Sequence, residues 1–389
     1  MNRFHRSIVS SVLATLIASP SAQAAEFVIG SHDSLTGSTA RVGSGMNEGI
    51  QLAAEYFNRK YPEHKFKVVT IDDEAQPAKA VAAIEKLTSE GVLAFSAGYG
   101  TNIIAPASET AGRTGLVYIT SGGVGEGLTH RGLKTFFRIT NAPGYARAFV
   151  GTLTQAGVKS VSILYSTKES PSTLANDLNT ALPATGIKVT LHPYDPSTQD
   201  FKPLVNKVKL QDRPDAMLML GYENDYIAIL RAARLLKPEL KAIMAPWGIA
   251  TTDMRKEFPD LVANVYGTTF TPDPPMYRTA EGQEFASLYR DRYKKEPDYL
   301  VQFGFVQTEL LFEAIMRSYK AGTLKQKNGI ADELRKTDRE TLVGHVRFDA
   351  TGDFDQFAYR MGQHQNGKIA IVWPKEYATA NMNYPAVPW

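Results

Sequence analysis

Two short stretches carry the residue types suited to holding a small molecule. In the first, the apolar run Val92-Leu93-Ala94-Phe95 gives way to Gly98-Tyr99-Gly100-Thr101. In the second, Leu116-Val117-Tyr118-Ile119 gives way to Thr120-Ser121-Gly122-Gly123. Each reads as a strand ending in glycines and hydroxyl residues. In a parallel sheet such ends lie side by side, and ligands bind in the crevice beyond them. Glycine lets backbone approach a ligand closely, and Thr and Ser add hydroxyls. The pair therefore reads as half of a small-molecule site. Structural roles also fit these residues: Thr101 as a cap of the helix that follows, Gly122 and Gly123 as a tight turn.

Catalytic and cofactor patterns are missing from the chain. The seven histidines have no i, i+4 pair of the kind that holds zinc on a helix. Asp72-Asp73-Glu74 follows a strand and reads as a solvated strand end rather than a Mg²⁺ or Ca²⁺ site. Gly122 to Gly127 is glycine-rich but lacks the G-x-G-x-x-G spacing. There is no phosphate-binding G-x-x-x-x-G-K-[ST] loop and no G-x-S-x-G elbow. With no cysteine, disulfides, thiolate metal sites and cysteine nucleophiles are excluded. The expectation is a binding protein, not an enzyme, with no metal and no cofactor.

The elements that position the two strand ends alternate. Strands at Phe27, Lys67–Asp72, Val92 and Leu116 are separated by helical patterns at Met46–Lys60, Pro77–Thr88 and Ile103–Arg113. This is the βαβ pattern of a parallel sheet covered by helices. A second unit of similar size follows Asn141-Ala142-Pro143-Gly144. Its strands fall at Ser160–Tyr165, Ile187–Leu191, Ala216–Leu220, Ala242–Ala245 and Val265–Thr269, with Phe201–Leu210 among its helices. Beyond Thr271-Pro272-Asp273-Pro274-Pro275 come two long helical patterns, Glu281–Lys294 and Leu300–Tyr319. They lack strands of their own to cover and are expected to return to the first unit. Strand-like pieces at His345–Phe348, Phe357–Met361 and Ile369–Val372 close the chain.

Length and charge agree with two domains and a small ligand. The 389 residues suit two domains at roughly 100–200 residues each. The net charge of +3 points to neither nucleic acid nor an anionic membrane. At the N-terminus, Arg3, His5 and Arg6 precede a short apolar stretch, Ile8–Ile17, and then Ala22-Gln23-Ala24. That order reads as a cleavable secretion signal, residues 1–24, too short to span a bilayer. Without a cysteine to carry lipid, the mature protein is expected free in the periplasm.

In order and spacing, several segments resemble the type I periplasmic binding proteins of branched-chain (hydrophobic) amino acid ABC importers. They are Ser34-Leu35-Thr36-Gly37 through Gly49, Ile71-Asp72-Asp73, Pro106-Ala107-Ser108 and Ile119-Thr120-Ser121. Phe137-Arg138, Gly221-Tyr222, Ile229 through Arg234 and Asp349-Ala350-Thr351-Gly352 continue the series. The resemblance implies an α/β fold of two lobes, each a parallel sheet flanked by helices, joined by a three-segment hinge. Lobe 1 would comprise residues 26–141 and 270–345, and lobe 2 residues 142–269 and 346–389. Ligand would lie between them and be enclosed by hinge closure.

Carried over by position, Thr101 matches a residue that hydrogen-bonds a ligand carboxylate. Gly122 and Gly123 match backbone contacts, Tyr99 and Val42 the pocket wall of lobe 1, and Tyr222 an aromatic contact from lobe 2. Arg41 lies beside the cleft, either to pair with a second ligand carboxylate or as a solvated surface cation. Three positions depart from the family. Trp247 stands where amino-acid binders often carry a Glu for the ligand ammonium, Ser170 where they often carry an aromatic, and Val124 where Thr or Ser is usual. Losing the carboxylate leaves a buried ammonium without a partner, which is costly. Trp247 offers instead a flat surface for stacking or a cation–π contact, unless it is plain core. Two ligand types follow: an acid with an aromatic or apolar body and no α-amino group, or an amino acid whose ammonium is met by Glu223. The implied partners are an inner-membrane ABC permease with its cytoplasmic ATPase, and the protein is expected to be a monomer. The same fold would also serve a periplasmic sensor feeding a receptor. A secreted hydrolase is the remote alternative.

Overall fold

The computed structural model describes residues 24–354 and 356–389. The secretion segment expected at residues 1–24 lies outside the described residues, Ala24 apart. Strands β1 (Glu26–Asp33), β2 (Lys65–Asp72), β3 (Ala94–Ser96), β4 (Val117–Thr120) and β5 (Phe136–Arg138) form a sheet in the order β2-β1-β3-β4-β5. Every pairing in it is parallel. The helices between its first four strands, Ala40–Lys60, Pro77–Ser89 and Thr101–Arg113, begin and end where local chemistry favours it. Ala40–Lys60 buries Val42, Met46, Ile50, Ala53 and Phe57, a three-to-four residue spacing, and ends on Arg59 and Lys60. Pro77 opens its helix at a position that needs no N–H.

The second sheet joins β6 (Ser160–Ser166), β7 (Lys188–Tyr194), β8 (Ala216–Leu220), β9 (Ala242–Ala245) and β10 (Tyr266–Thr269) in parallel. After a small hairpin of β11 (Asp338–Thr341) and β12 (Gly344–Arg347), the chain adds β13 (Arg360–Gln365) and β14 (Lys368–Trp373) to that sheet. The order is β14-β13-β10-β9-β8-β6-β7, and β13 and β14 run antiparallel. The second sheet is thus parallel through five strands and mixed at one edge. β8 is buried along its whole length, as a strand covered on both faces must be.

The late helices, Ala280–Tyr293 and Tyr299–Lys320, do return to the first unit. Tyr299–Lys320 lies along Ala40–Lys60 and over β3 and β4. Two glycines permit the close approach. A Cβ on Gly49 would stand 2.0 Å from the Val301 carbonyl oxygen, and one on Gly304 1.9 Å from that of Met46. Three details differ from the sequence expectation. The strand expected at Phe357–Met361 starts only at Arg360, because Phe357 and Tyr359 pack into an aromatic cluster rather than a ladder. The helix expected over Phe201–Leu210 is regular only through Lys202–Lys207, then widens into a π-turn at Val208–Asp212. β5 and β11 are too short to leave a periodic signature.

The chain passes between the sheets three times, after β5, after β10 and after β12. Each passage contributes an aromatic ring to one cluster: Tyr145, Phe270, and Phe357 with Tyr359. Ring centroids lie 4.1 Å apart for Tyr145–Tyr359, 4.5 Å for Phe270–Tyr359 and 4.8 Å for Phe357–Tyr359. Phe303, from the late helix, adds a contact to Tyr359 at 5.6 Å.

Beside the cluster, an ion pair ties the first passage to the third. Arg138, at the end of β5, donates from Nε and Nη2 to both Asp353 oxygens at 2.9 and 2.6 Å, and from Nη1 to the Gly125 carbonyl at 2.7 Å. Arg138 is 3% exposed and Asp353 17%. A buried guanidinium deprived of its carboxylate is strongly destabilising. Asp353→Ala is therefore expected to cost about 3–5 kcal/mol, read as a lower urea midpoint at unchanged slope. A loss under about 1 kcal/mol would show that the pair is not needed to hold the passages together.

Candidate functional site

The two strand ends singled out in the sequence meet. The Gly100 N–H donates to the Gly122 carbonyl at 2.8 Å, and a Cβ on Gly122 would stand 2.0 Å from the Gly98 carbonyl oxygen. Gly98 has φ +87° and sits against the Tyr118 hydroxyl. A buried network fixes it from below. His32 bonds Asp73 at 2.9 Å and Tyr118 at 2.7 Å, and the Gly98 N–H donates to the His32 carbonyl at 2.9 Å. The helix Thr101–Arg113 then starts at this junction. The Ile103 and Ile104 N–H groups both donate to the Gly100 carbonyl, each at 3.0 Å. Thr101 and Asn102 hold the first-turn N–H groups that a helix cannot satisfy itself.

Facing this junction across the cleft are the strand ends of the second sheet. They carry Ser170 after β6, Tyr222 after β8 and Trp247 after β9. The carboxyl ends of both sheets thus point into one crevice. A cavity of about 20 Å³ lies there, lined by Met46, Tyr99, Gly100, Ser121, Gly122, Val124, Tyr145, Ser170, Tyr222, Trp247, Tyr299, Leu300, Phe303 and Tyr359. It contains no charged side chain. Tyr222 stacks on Trp247 at 6.2 Å and 25°, and meets Tyr99 edge-on at 6.2 Å. Lys168 covers Tyr222 at 4.9 Å from the ring centroid. Burial, reinforced by neighbouring hydroxyls, pushes Tyr99, Tyr145 and Tyr359 well above the ordinary phenol range. These phenols are all neutral at physiological pH.

Of the residues expected at the site, Tyr99, Gly122, Val124, Ser170, Tyr222 and Trp247 line this cavity. Val42 and Arg41 line an adjoining space of about 190 Å³ at its mouth, together with Glu223. Thr101 is displaced from the wall. Its hydroxyl accepts the Gly125 N–H at 3.0 Å and shares a 2.7 Å hydrogen bond with Ser170 across the cleft. A Cβ on Gly123 would meet Ile104 and Leu128, so that position faces the packed core. Tyr145, Tyr299, Phe303 and Tyr359 were not singled out by sequence reasoning. Tyr299 owes its place to Asp298, which caps the helix by accepting the Leu300 and Val301 N–H groups at 3.0 and 3.3 Å. The cap signal was present in the sequence, but nothing there aimed Tyr299 at the cleft. Among the described residues no group of three His, Asp or Glu side chains could hold a metal ion, and no helix is long and apolar enough to cross a membrane.

Arg41, 26% exposed, is engaged by carboxylates. It donates to Glu223 at 2.6 Å and, with two parallel bonds at 2.7 Å, to Glu257. Both partners belong to the second unit, so one guanidinium bridges the cleft mouth. Glu223 is held through Oε1 alone, and its Oε2 is buried without a hydrogen-bond partner among the described residues.

Two α/β units enclosing an uncharged cleft at their facing strand ends define a solute-binding protein of the periplasmic type. The chain belongs to the Periplasmic binding protein family, whose profile matches residues 26–368. It is 23% identical over 376 residues to the Leu/Ile/Val-binding protein homolog 3 of Brucella melitensis, covering 93% of this chain and 98% of that one. It is 26% identical over 362 residues to an amino acid binding protein of Pseudomonas aeruginosa, covering 90% and 93%. The fold matches the leucine binding protein LivK of Thermotoga maritima with a TM-score of 0.79 at 22% identity, covering 89% of this chain and 97% of that one. It also matches a solute binding protein of R. palustris in complex with benzoate, with a TM-score of 0.77 at 16% identity, covering 93% and 97%. The relatives and neighbours are binding proteins, several of them of transporters, not enzymes.

Burial raises the Glu223 carboxyl pKa, and Arg41 opposes that rise. Arg41→Met removes the opposition, so Glu223 holds its proton to higher pH in the folded state. A raised folded pKa gives stability that is present at low pH and lost as pH rises through it. Arg41→Met is therefore expected to be less stable than the parent at pH 7, with the deficit shrinking toward pH 4 as Glu223 becomes neutral in both proteins. Urea melts across that range measure it. A deficit independent of pH would remove the ion pair as its cause.

Proposed function

We propose that this protein is the substrate-binding component of an ABC importer. On this reading it captures a small acid with an aromatic or apolar body and no α-ammonium group, and encloses it by hinge closure. The observation that carries the ligand class is the cavity wall, with several aromatic rings and no carboxylate. An ammonium placed there would be buried unpaired, at a cost of several kcal/mol. Glu223, in the adjoining space at the mouth, is paired through Oε1 with Arg41. Rings of a ligand would pack on Tyr222 and Trp247, and its carboxylate would meet the Thr101 and Asn102 N–H groups, the Gly122-Gly123 loop and the Ser170 hydroxyl. N–H groups at a helix start suit an anion.

Closure follows from the same geometry. A cavity of about 20 Å³ has room for a water-sized body. Admitting a solute requires the walls to part, and the three passages between the sheets are where they can turn. The two bodies of that motion are residues 26–141 with 270–345, and 142–269 with 346–389. Membership of this family and the signal pattern at residues 1–24 support a periplasmic site of action, and an inner-membrane permease with its ATPase as partners. The benzoate-bound neighbour supports an aromatic acid on this fold.

A thermal-shift screen of the mature chain tests the ligand class, since a ligand that binds only the folded state raises Tm by mass action. Benzoates and related aromatic acids are expected to raise Tm, and leucine, isoleucine and valine to leave it unmoved. Trp247→Ala should weaken the aromatic acid by about 1.5–3 kcal/mol, the worth of a buried apolar side chain. A larger shift with leucine than with any benzoate would refute this ligand class.

A further inference from the structure

The hydroxyls on the hinge side of the cavity do not balance as donors and acceptors. Tyr145, Tyr299 and Tyr359 are 3%, 1% and 2% exposed. Tyr145 packs edge-on against Trp247, ring centroids 5.6 Å apart. Its hydroxyl donates to the Tyr359 oxygen at 2.6 Å. The Gly248 N–H donates to the Tyr299 oxygen at 2.6 Å. The Tyr359 and Tyr299 oxygens are therefore each supplied with a donor. The protons left over are those of Tyr359 and Tyr299, and neither has a protein acceptor among the described residues. A buried donor without an acceptor is costly, and native interiors rarely keep one. Both rings line the same cavity, their centroids 6.2 Å apart.

We propose that the Tyr299 and Tyr359 hydroxyls form an acceptor-binding subsite, which selects apolar acids carrying a neutral oxygen at the end remote from the carboxylate. This rests on the carboxylate-and-ring reading of the cleft given above. The carboxylate end belongs to the junction of β3 and β4 with the helix at Thr101. Trp247 and Tyr222 flank the middle, and the paired phenols stand at the hinge. A phenol, ether or carbonyl oxygen accepts two hydrogen bonds, matching the two free protons. A second carboxylate fits less well, because no cation lines the cavity to balance it and Arg41 is held by Glu223 and Glu257. Trp247 offers its ring to the ligand and packs edge-on against Tyr145.

Titration calorimetry with 4-methoxybenzoate and its near-isostere 4-ethylbenzoate isolates the oxygen, with terephthalate as the dianionic arm. The parent protein is expected to bind the methoxy acid about tenfold more tightly than the ethyl acid, the range of one to two neutral hydrogen bonds, and terephthalate more weakly than either. In Tyr359→Phe and in Tyr299→Phe the methoxy-to-ethyl ratio should fall toward one. The ratio is the decisive readout, because a structural defect in either variant would weaken both acids alike. A parental ratio within twofold, a ratio unchanged in both variants, or terephthalate as the tightest ligand would overturn the subsite while leaving the aromatic-acid reading in place. If none of the three acids binds, the ligand reading and the subsite fall together.

Discussion

The structure depends on one aromatic cluster through which the chain passes between its two sheets. Tyr359 touches Tyr145 from the first passage, Phe270 from the second and Phe303 from the late helix. Aromatic pairs in such edge and tilted arrangements contribute roughly 0.5–1.5 kcal/mol each beyond their buried area. Three separate chain segments are therefore held at one place without a rigid covalent link. The same rings, Tyr145, Phe303 and Tyr359, also form the inner wall of the cavity. The crossings between the sheets and the cavity wall share side chains. A solute packed against this wall would touch the segments proposed as the hinge.

Charge is arranged around that wall in a consistent way. The cavity itself has none, so neutral phenols and backbone N–H groups supply its polarity. Ionised groups stand one layer out, where Arg41 joins Glu223 and Glu257 across the mouth. Removed from bulk water, hydrogen bonds and dipoles inside the cleft act in a lower dielectric and discriminate more sharply. The bridging guanidinium and the Thr101–Ser170 hydrogen bond both run from one unit to the other. They tie the two units together at the rim of the cleft, while the aromatic cluster ties them where the chain crosses between the sheets.

The readable part of this architecture was local. Glycines and hydroxyls after two apolar strands placed the β3 and β4 ends correctly, and Tyr222 and Trp247 were found at equivalent ends of the second sheet. Periodicity placed Tyr299–Lys320, and its lack of strands pointed back to the first unit. What escaped was non-local. Tyr145, Tyr299 and Tyr359 lie far apart in sequence and look like ordinary core until the passages bring them together. The alternation of Phe357 and Tyr359 imitated a strand for that reason. Thr101 sits at the right junction, yet its hydroxyl direction depends on Ser170, 69 positions away. Arg41 was left open between ligand and solvent. Its actual partners, Glu223 and Glu257, are more than 180 positions distant.

Trp247, where the family resemblance implies a carboxylate, is read together with these tyrosines. A glutamate at that position would add a buried negative charge beside hydroxyls whose remaining capacity is to donate. It would draw their protons to itself and leave nothing for an uncharged ligand oxygen. The indole does the opposite. It adds aromatic surface and no charge, packing edge-on against Tyr145 at 5.6 Å. An indole rather than a carboxylate in the β9 loop leaves the wall uncharged, as the proposed capture of an acid without an α-ammonium group requires.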